Sequence, residues 1–382
     1  MIKVSALIKV LKKNNSNFFT GVPDSVLKEL SLYLQSKSKK NHIISTNEGS
    51  AVSLGIGHYL STKKLPIIYM QNSGLSNALN PLISIAHEKV YSIPLILIIG
   101  WRGSPRVKDE PQHNVKGKVT EQILKLLKIK YTILRSKFDL KKFDKQIKLA
   151  KKNKSIVACL IEQGTLEKSN NIKMKKDFYN LDKEFFLKTL LDNLQKKTKI
   201  ISSTGYNSRE LIYLRDKYKL KNSKDFYMVG GMGHTSSVAL GYSLFSKNKT
   251  ICIDGDGSLQ INLQELHTID KLKIPVKIFV LNNNGYGIIK QFQELYLGKR
   301  FEASGKGVSN PSFKKLSKAF NINYNIINNH TEIKKIGQIL SSKKPELIEV
   351  MIKEDQKIIP KLQFGNPIED MSPLLPRSEF SK

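Results

Sequence analysis

Two short stretches late in the chain hold residue types that can bind a cation and a diphosphate together. Gly255-Asp256-Gly257-Ser258 places a carboxylate inside a glycine turn, and Asn282-Asn283-Asn284-Gly285-Tyr286-Gly287 supplies amide oxygens. Asp256 and Asn283 lie 27 residues apart. That distance suits a strand ending in a glycine loop, a helix running back, and a second parallel strand ending beside the first. Both oxygens then reach one sheet edge, where a hard cation and a diphosphate can sit. Gly257 and Ser258 add backbone donors and a hydroxyl at a helix start, an arrangement suited to anions. Ser203-Thr204-Gly205-Tyr206-Asn207-Ser208 also follows a strand and opens a helix, and Gly230-Gly231-Met232-Gly233 is a glycine turn. In the first half, Glu48 opens a helix directly after a strand, a first-turn position that the helix dipole favours for an acid.

The elements that must carry these residues alternate strand and helix in two segments. The first spans 1–163. It reads as an amphipathic helix, strand Asn17–Thr20, a turn at Gly21–Ser25, a helix at Val26–Leu34, strand His42–Ser45 and a helix from Asn47. Strand Pro66–Met70, a helix near Asn77–His87, strand Leu95–Ile99, a loop from Trp101 to Lys118, a helix near Thr120–Leu127 and strand Ile156–Ile161 complete it. Residues 164–182 are polar and lysine-rich and read as a linker. The second segment, 183–360, repeats the alternation: helix Lys183–Leu194, strand Lys199–Ser202, helix Asn207–Lys217, the glycine turn, the Gly255–Gly287 unit, a helix near Pro311–Phe320 and strand Glu346–Ile352. Residues 361–382 form a proline-containing tail of mixed charge, a docking arm or a disordered end. The fold class expected is α/β, with two doubly wound parallel-sheet domains.

The Asp256–Asn283 pair and its surroundings resemble the magnesium–diphosphate motif of thiamine diphosphate enzymes. The resemblance implies a pyrimidine-binding domain followed by a diphosphate-binding domain. It makes Asp256, Asn283 and the Gly285 carbonyl ligands of Mg²⁺, with Thr204, Gly205, Gly257 and Ser258 near the diphosphate. Gly230 would accept from the cofactor amino group, and Met232 would wedge between its two rings. Glu48 would face the aminopyrimidine ring nitrogen and share a proton with it. Further motifs resemble the phosphonopyruvate decarboxylases and the related sulfopyruvate decarboxylases: Gly21-Val22-Pro23-Asp24-Ser25, Asn47-Glu48-Gly49, Tyr69-Met70-Gln71-Asn72-Ser73-Gly74, Gly100-Trp101-Arg102-Gly103 and Asp109-Glu110-Pro111-Gln112-His113. Those enzymes lack a middle domain, which fits this length. The implied reaction is non-oxidative decarboxylation of 3-phosphonopyruvate to phosphonoacetaldehyde and CO₂. Asp24 and His113 become candidates for proton relay, Asn72 for orienting substrate and Arg102 for clamping its anionic group. Arg102 could instead pair with Asp109 or Glu110.

The stretch Gly285-Tyr286-Gly287-Ile288-Ile289-Lys290-Gln291 is more similar to acetolactate synthases, as is Pro367–Pro373. Sulfopyruvate or another 2-oxoacid as substrate, and a carboligase reaction, therefore stay open. In the resembled family the active site is shared between subunits, which implies a homodimer or larger homo-oligomer.

Composition narrows the remaining classes. The 382 residues are 40% hydrophobic and 25% charged, values of a globular protein. No apolar run approaches the ~20 residues of a membrane span. The first residues lack the long apolar stretch of a signal peptide. With only Cys159 and Cys252, no disulfide framework is indicated, and the expected compartment is the cytoplasm. The net charge of +32 comes from 64 basic residues, seven of them arginine. They are spread along the chain rather than clustered among exposed aromatics, which argues against a nucleic-acid partner. A positive field would draw in a small anionic substrate.

Overall fold

The computed structural model describes residues 1–35, 37–38, 40–107, 109, 111–167, 181–220, 225–228, 230–285 and 310–353. The chain divides into two units, Met1–Ile172 and Lys173–Lys382. The flank after Gly285 (286–291) and the tail (361–382) fall outside the described residues.

In the first unit the strands are β1 (Phe19–Gly21), β2 (His42–Ile44), β3 (Ile67–Gln71), β4 (Ile96–Gly100), β5 (Lys130–Leu134) and β6 (Val157–Ile161). Its helices are α1 (Val4–Lys13), α2 (Lys28–Gln35), α3 (Glu48–Thr62), α4 (Leu75–Pro81), α5 (Pro111–Leu126) and α6 (Lys137–Asn153). The second unit holds β7 (Lys199–Ser202), β8 (Phe226–Tyr227), β9 (Thr250–Gly255), β10 (Lys277–Asn282), β11 (Asn323–Ile327) and β12 (Glu346–Met351). Around them are α7 (Lys183–Asp192), α8 (Tyr206–Lys217), α9 (Thr235–Phe245), α10 (Asp256–Leu259), α11 (Glu265–Leu272), α12 (Phe313–Ala319) and α13 (Lys335–Ser341).

The sheets are ordered β2-β1-β3-β4-β6-β5 and β11-β12-β10-β9-β7-β8. Read from the other edge, the second repeats the first: second strand, first, third, fourth, sixth, fifth. All pairings between named strands are parallel, so the loops that follow the strands all gather at one edge of each sheet. The central strands are buried throughout, because helices cover both faces. Ile96 and Ile98 face a core with α1, α2 and α6, while Leu97 and Ile99 face the opposite core with α3, α4 and α5. In the second unit Ile251 and Ile253 pack with α7 and α8, and Cys252 packs with α9 and α11.

Several elements differ from the sequence reading. The Trp101–Lys118 loop is helical from Pro111, where proline's fixed φ and missing N–H suit a first helical position. Strands β5, β8 and β11 and helices α6, α9 and α13 are additional. The two ends of the 164–182 stretch are pinned: Ile2 bridges Leu166, and Leu181 bridges Ile352. Leu166 and Leu181 are both buried.

Candidate functional site

In the first sheet the chain order reverses between β1 and β3, and the loops after these strands diverge there, as at ligand sites of open α/β sheets. Asp24 lies in the loop after β1. Its Oδ2 accepts from the N–H groups of Val26 at 3.0 Å and Leu27 at 3.1 Å, so it caps the chain entering α2. Its Oδ1 accepts from Gln71 Nε2 at 2.6 Å. Burial pushes the Asp24 carboxyl above the usual range; the Gln71 bond, the Arg102 charge and the backbone bonds offset this in part. A Cβ on Gly100, at the end of β4, would overlap Oδ2.

Glu48 follows β2. Asn47 caps its helix by accepting from Ser50 N–H at 2.8 Å. The Glu48 side chain is buried, with Oε2 accepting from Asn77 Nδ2 at 2.9 Å. Asn72, after β3, is committed to the protein: Nδ2 donates to the Arg102 carbonyl and to Thr120 Oγ1, each at 2.9 Å, and Oδ1 accepts from Arg102 N–H at 3.1 Å. It ties the end of β3 to the segment after β4 and to α5. That segment carries Arg102, whose Nε and Nη2 form a fork on Asp109 with distances of 2.6–3.0 Å. The pairing with Asp109 is thus present, while Glu110 lies outside the described residues. Nη1 reaches Ser25 Oγ at 3.3 Å.

His113 lies in the first turn of α5 rather than in a loop. Burial, helped by the charge of Arg102, lowers its imidazole to about 4, so at neutral pH it is an uncharged acceptor. The backbones pack tightly here. A Cβ on Gly103 would overlap the His113 carbonyl, one on Gly117 would overlap Gly103, and Trp101 Nε1 donates to the Gly117 carbonyl at 2.9 Å.

The second unit places its candidate residues after adjacent strands. Thr204 and Gly205 follow β7, and Gly205, at φ +87, caps α8. Gly230 and Met232 follow β8, whose next residue Met228 donates its N–H to the Ser202 carbonyl at 3.0 Å. In the same turn Gly233 (φ +91) donates to Ser258 Oγ at 3.0 Å. A Cβ there would crowd Ile261 at 2.7 Å. Asp256 begins α10 after β9, and Asn283 and Gly285 follow β10. The Thr204 and Asp256 loops flank the reversal of chain order in this sheet. The structure therefore brings Thr204–Gly205, Gly230–Gly233, Asp256–Ser258 and Asn283–Gly285 to one edge.

Asp256 is the centre of this edge. It accepts from Gly257 N–H at 2.7 Å, Gly285 N–H at 2.9 Å and Asn310 Nδ2 at 2.7 Å, and from the Asn283 backbone. Asn284 at φ +56 and Gly285 at φ +146 turn the chain toward it. Burial pushes its carboxyl up to about 6 against these bonds. Among the described residues no basic side chain pairs with it. A buried carboxylate without a basic partner, at the sheet edge that also carries Asn283 and Gly285, suits a hard divalent cation that takes oxygen ligands. Among the described residues no three His, Cys, Asp or Glu side chains converge as a metal cluster, so Asp256 stands as the charged donor.

Three residues that the sequence reading left out hold these groups: Gln71 on Asp24, Asn77 on Glu48 and Asn310 on Asp256. Asn310 also donates to Asn282 Oδ1 at 2.8 Å and accepts from Gln260 at 2.7 Å. Each is an amide adjoining a buried carboxylate, and amides of this kind recur across the chain without such a role. Among the described residues no helix is long and apolar enough to cross a membrane.

Comparison with known proteins gives both halves the same attribution. Residues 3–124 match the family described as thiamine pyrophosphate enzyme, N-terminal TPP binding domain, and residues 204–350 match its C-terminal TPP binding domain. A phosphonopyruvate decarboxylase of Streptomyces hygroscopicus is 30% identical over 286 residues, 70% of this chain and 69% of that protein. Another, from Streptomyces viridochromogenes, is 30% identical over 297 residues, covering 70% of each. The acetolactate synthase large subunit of Pyropia yezoensis is 33% identical over 151 residues, 39% of this chain and 26% of that protein.

Proposed function

The chain belongs to the thiamine pyrophosphate enzymes, in the family of the phosphonopyruvate decarboxylases, and from that premise we propose that it decarboxylates 3-phosphonopyruvate to phosphonoacetaldehyde and CO₂ with Mg²⁺. That it is a thiamine diphosphate-dependent 2-oxoacid decarboxylase follows from the family. The phosphonate substrate is carried by one observation, the similarity to two phosphonopyruvate decarboxylases across 70% of the chain.

When bound, the cofactor supplies the electron sink for loss of CO₂. The chain's own residues do the rest. Asp256, the Asn283 amide and the Gly285 carbonyl hold the cation, while Thr204, Gly205, Gly257 and Ser258 meet the diphosphate. Gly230 and Met232 seat the ring system. Glu48 shares a proton with the pyrimidine. Asp24 and uncharged His113 accept or pass protons near the substrate, and Arg102, oriented by Asp109, faces its anionic group. Asn72 acts by fixing the segment that carries Arg102. The working form is at least a homodimer with active sites shared between subunits.

A panel test decides the substrate. Protein, thiamine diphosphate and Mg²⁺ are incubated with 3-phosphonopyruvate, sulfopyruvate and pyruvate, and CO₂ and aldehyde are measured. Equal CO₂ and phosphonoacetaldehyde from the first, with far less from the others, is the expected result; release only from sulfopyruvate or pyruvate rejects it. The acetolactate synthase similarity favours a second reading, carboligation, which would yield an acyloin in place of aldehyde. Mixed Glu48→Ala and Asp256→Ala proteins should recover activity after subunit exchange, and failure to do so counts against shared sites.

A further inference from the structure

Glu48 lies in a seat made by two missing side chains and one amide. A Cβ on Gly74 would overlap the Glu48 carboxylate, so that carboxylate rests against the bare backbone of residue 74. Reciprocally, a Cβ on Gly49 would crowd the Asn77 carbonyl oxygen at 2.8 Å and Asn47 Oδ1 at 3.3 Å. The starts of α3 and α4 thus approach closely on both sides of Glu48. Asn77, in the first turn of α4, then donates Nδ2 to Glu48 Oε2 at 2.9 Å.

We infer that Asn77 is a positioning residue that confines the exchangeable proton of Glu48 to Oε1. The inference rests on the proposed role of Glu48 toward the cofactor pyrimidine and deepens it. An amide nitrogen can only donate. Oε2 therefore remains an acceptor whether the carboxyl is charged or neutral, and the proton is carried by the other oxygen. Oε1 has no hydrogen bond to the described residues. Among the described residues, the groups shown against the carboxylate are Gly74 from the turn after β3 and Asn77 from α4. Neither is ionisable, and the Asn47 oxygen is engaged by Ser50 N–H. Among the described residues no charged side chain pairs with Glu48. Asn77 is therefore the polar side chain that distinguishes the two oxygens.

The test compares wild type, Asn77→Asp, Asn77→Ala and Glu48→Gln by calorimetric titration of thiamine diphosphate with Mg²⁺, from acid to mildly alkaline pH, alongside CO₂ release. Asn77→Asp keeps the volume but sets an acceptor, and when ionised a like charge, against Oε2. It should move the pH midpoint of binding upward by about one unit. Asn77→Ala should weaken binding about tenfold, the loss of one charge-assisted hydrogen bond. A packing role alone would leave the isosteric Asn77→Asp silent. Wild-type affinity and midpoint in both Asn77 variants, with Glu48→Gln abolishing the pH dependence, overturn this inference and leave the Glu48 role intact. Unchanged binding and CO₂ release in Glu48→Gln overturn the cofactor role and this inference together. Melting temperatures of the cofactor-free proteins check folding, and Asn77→Ala supplies the test should Asn77→Asp fold poorly.

Discussion

Gln71 Nε2 donates to Asp24 Oδ1 at 2.6 Å, joining the ends of β3 and β1 across the reversal of chain order in the first sheet. The bond gives a buried carboxyl a donor at the place where two loops part. Gln71→Leu leaves Oδ1 buried without that donor and is expected to cost about 1–3 kcal/mol. Urea unfolding checks it, and an unchanged midpoint would show that the bond adds nothing. Gln71→Glu, which sets two carboxyls face to face, should be worse at neutral pH than at acid pH.

Gly74 has φ −80 and ψ −7, a conformation any residue adopts. Gly74→Ala therefore strains no backbone; it only fills the space of the Glu48 carboxylate. CO₂ release is expected to fall by at least about 10²-fold, the scale of a lost acid–base group, with little change in the urea midpoint. Full activity in Gly74→Ala would mean that Glu48 works from another position.

His113 carries a pH signature. Burial lowers its folded value to about 4 from an ordinary 6.5, so the unfolded chain binds a proton first as pH falls. Its contribution to stability is whole above about 6.5 and is lost progressively toward about 4, a loss of up to about 3 kcal/mol. His113→Gln should flatten that part of the stability–pH curve, measured by urea unfolding at a series of pH values. The same slope in both proteins would place the titration elsewhere.

Arg102 and Asp109 form a forked pair with side chains 14% and 4% exposed. Asp109 also accepts from Gly103 N–H at 2.7 Å. Asp109→Ala removes one partner of a nearly buried pair and is expected to cost about 3 kcal/mol. It should also raise KM for 3-phosphonopyruvate, which carries a second anionic group, more than for pyruvate, since the guanidinium loses its orientation. Equal KM changes for both would remove Arg102 from substrate recognition.

The alternation of apolar strands and helices was legible because fully covered parallel strands read as unbroken apolar runs, as in Leu95–Ile99. Helix α6 was not. Its buried residues Leu140, Phe143, Ile147 and Ala150 are spaced by helical turns, yet the outer face is so rich in lysine that the segment reads as solvated chain. The signal was nevertheless present, since Ser136 and Asp139 form a capping box. Strand β11 is only partly buried, so its apolar pattern is weak. In the site, glycine turns and acidic residues could be placed after strands because loop chemistry is local. Gln71, Asn77 and Asn310 could not, because each acts on a carboxylate distant in sequence, and amide side chains carry no pattern that says which carboxylate they will meet.

The bridge between Ile2 and Leu166 bears on how the protein is made. Ile2 N–H donates to the Thr165 carbonyl at 2.8 Å, and Glu167 N–H donates to the Ile2 carbonyl at 2.9 Å. Ile2, ahead of β1, is thus held by residues near the end of the first unit, and every strand pairing between them needs a crossover. Parallel, long-range pairing of this kind forms slowly. On the ribosome, the N-terminal half cannot close until Glu167 has emerged, and its strand edges stand open to misassembly during that interval.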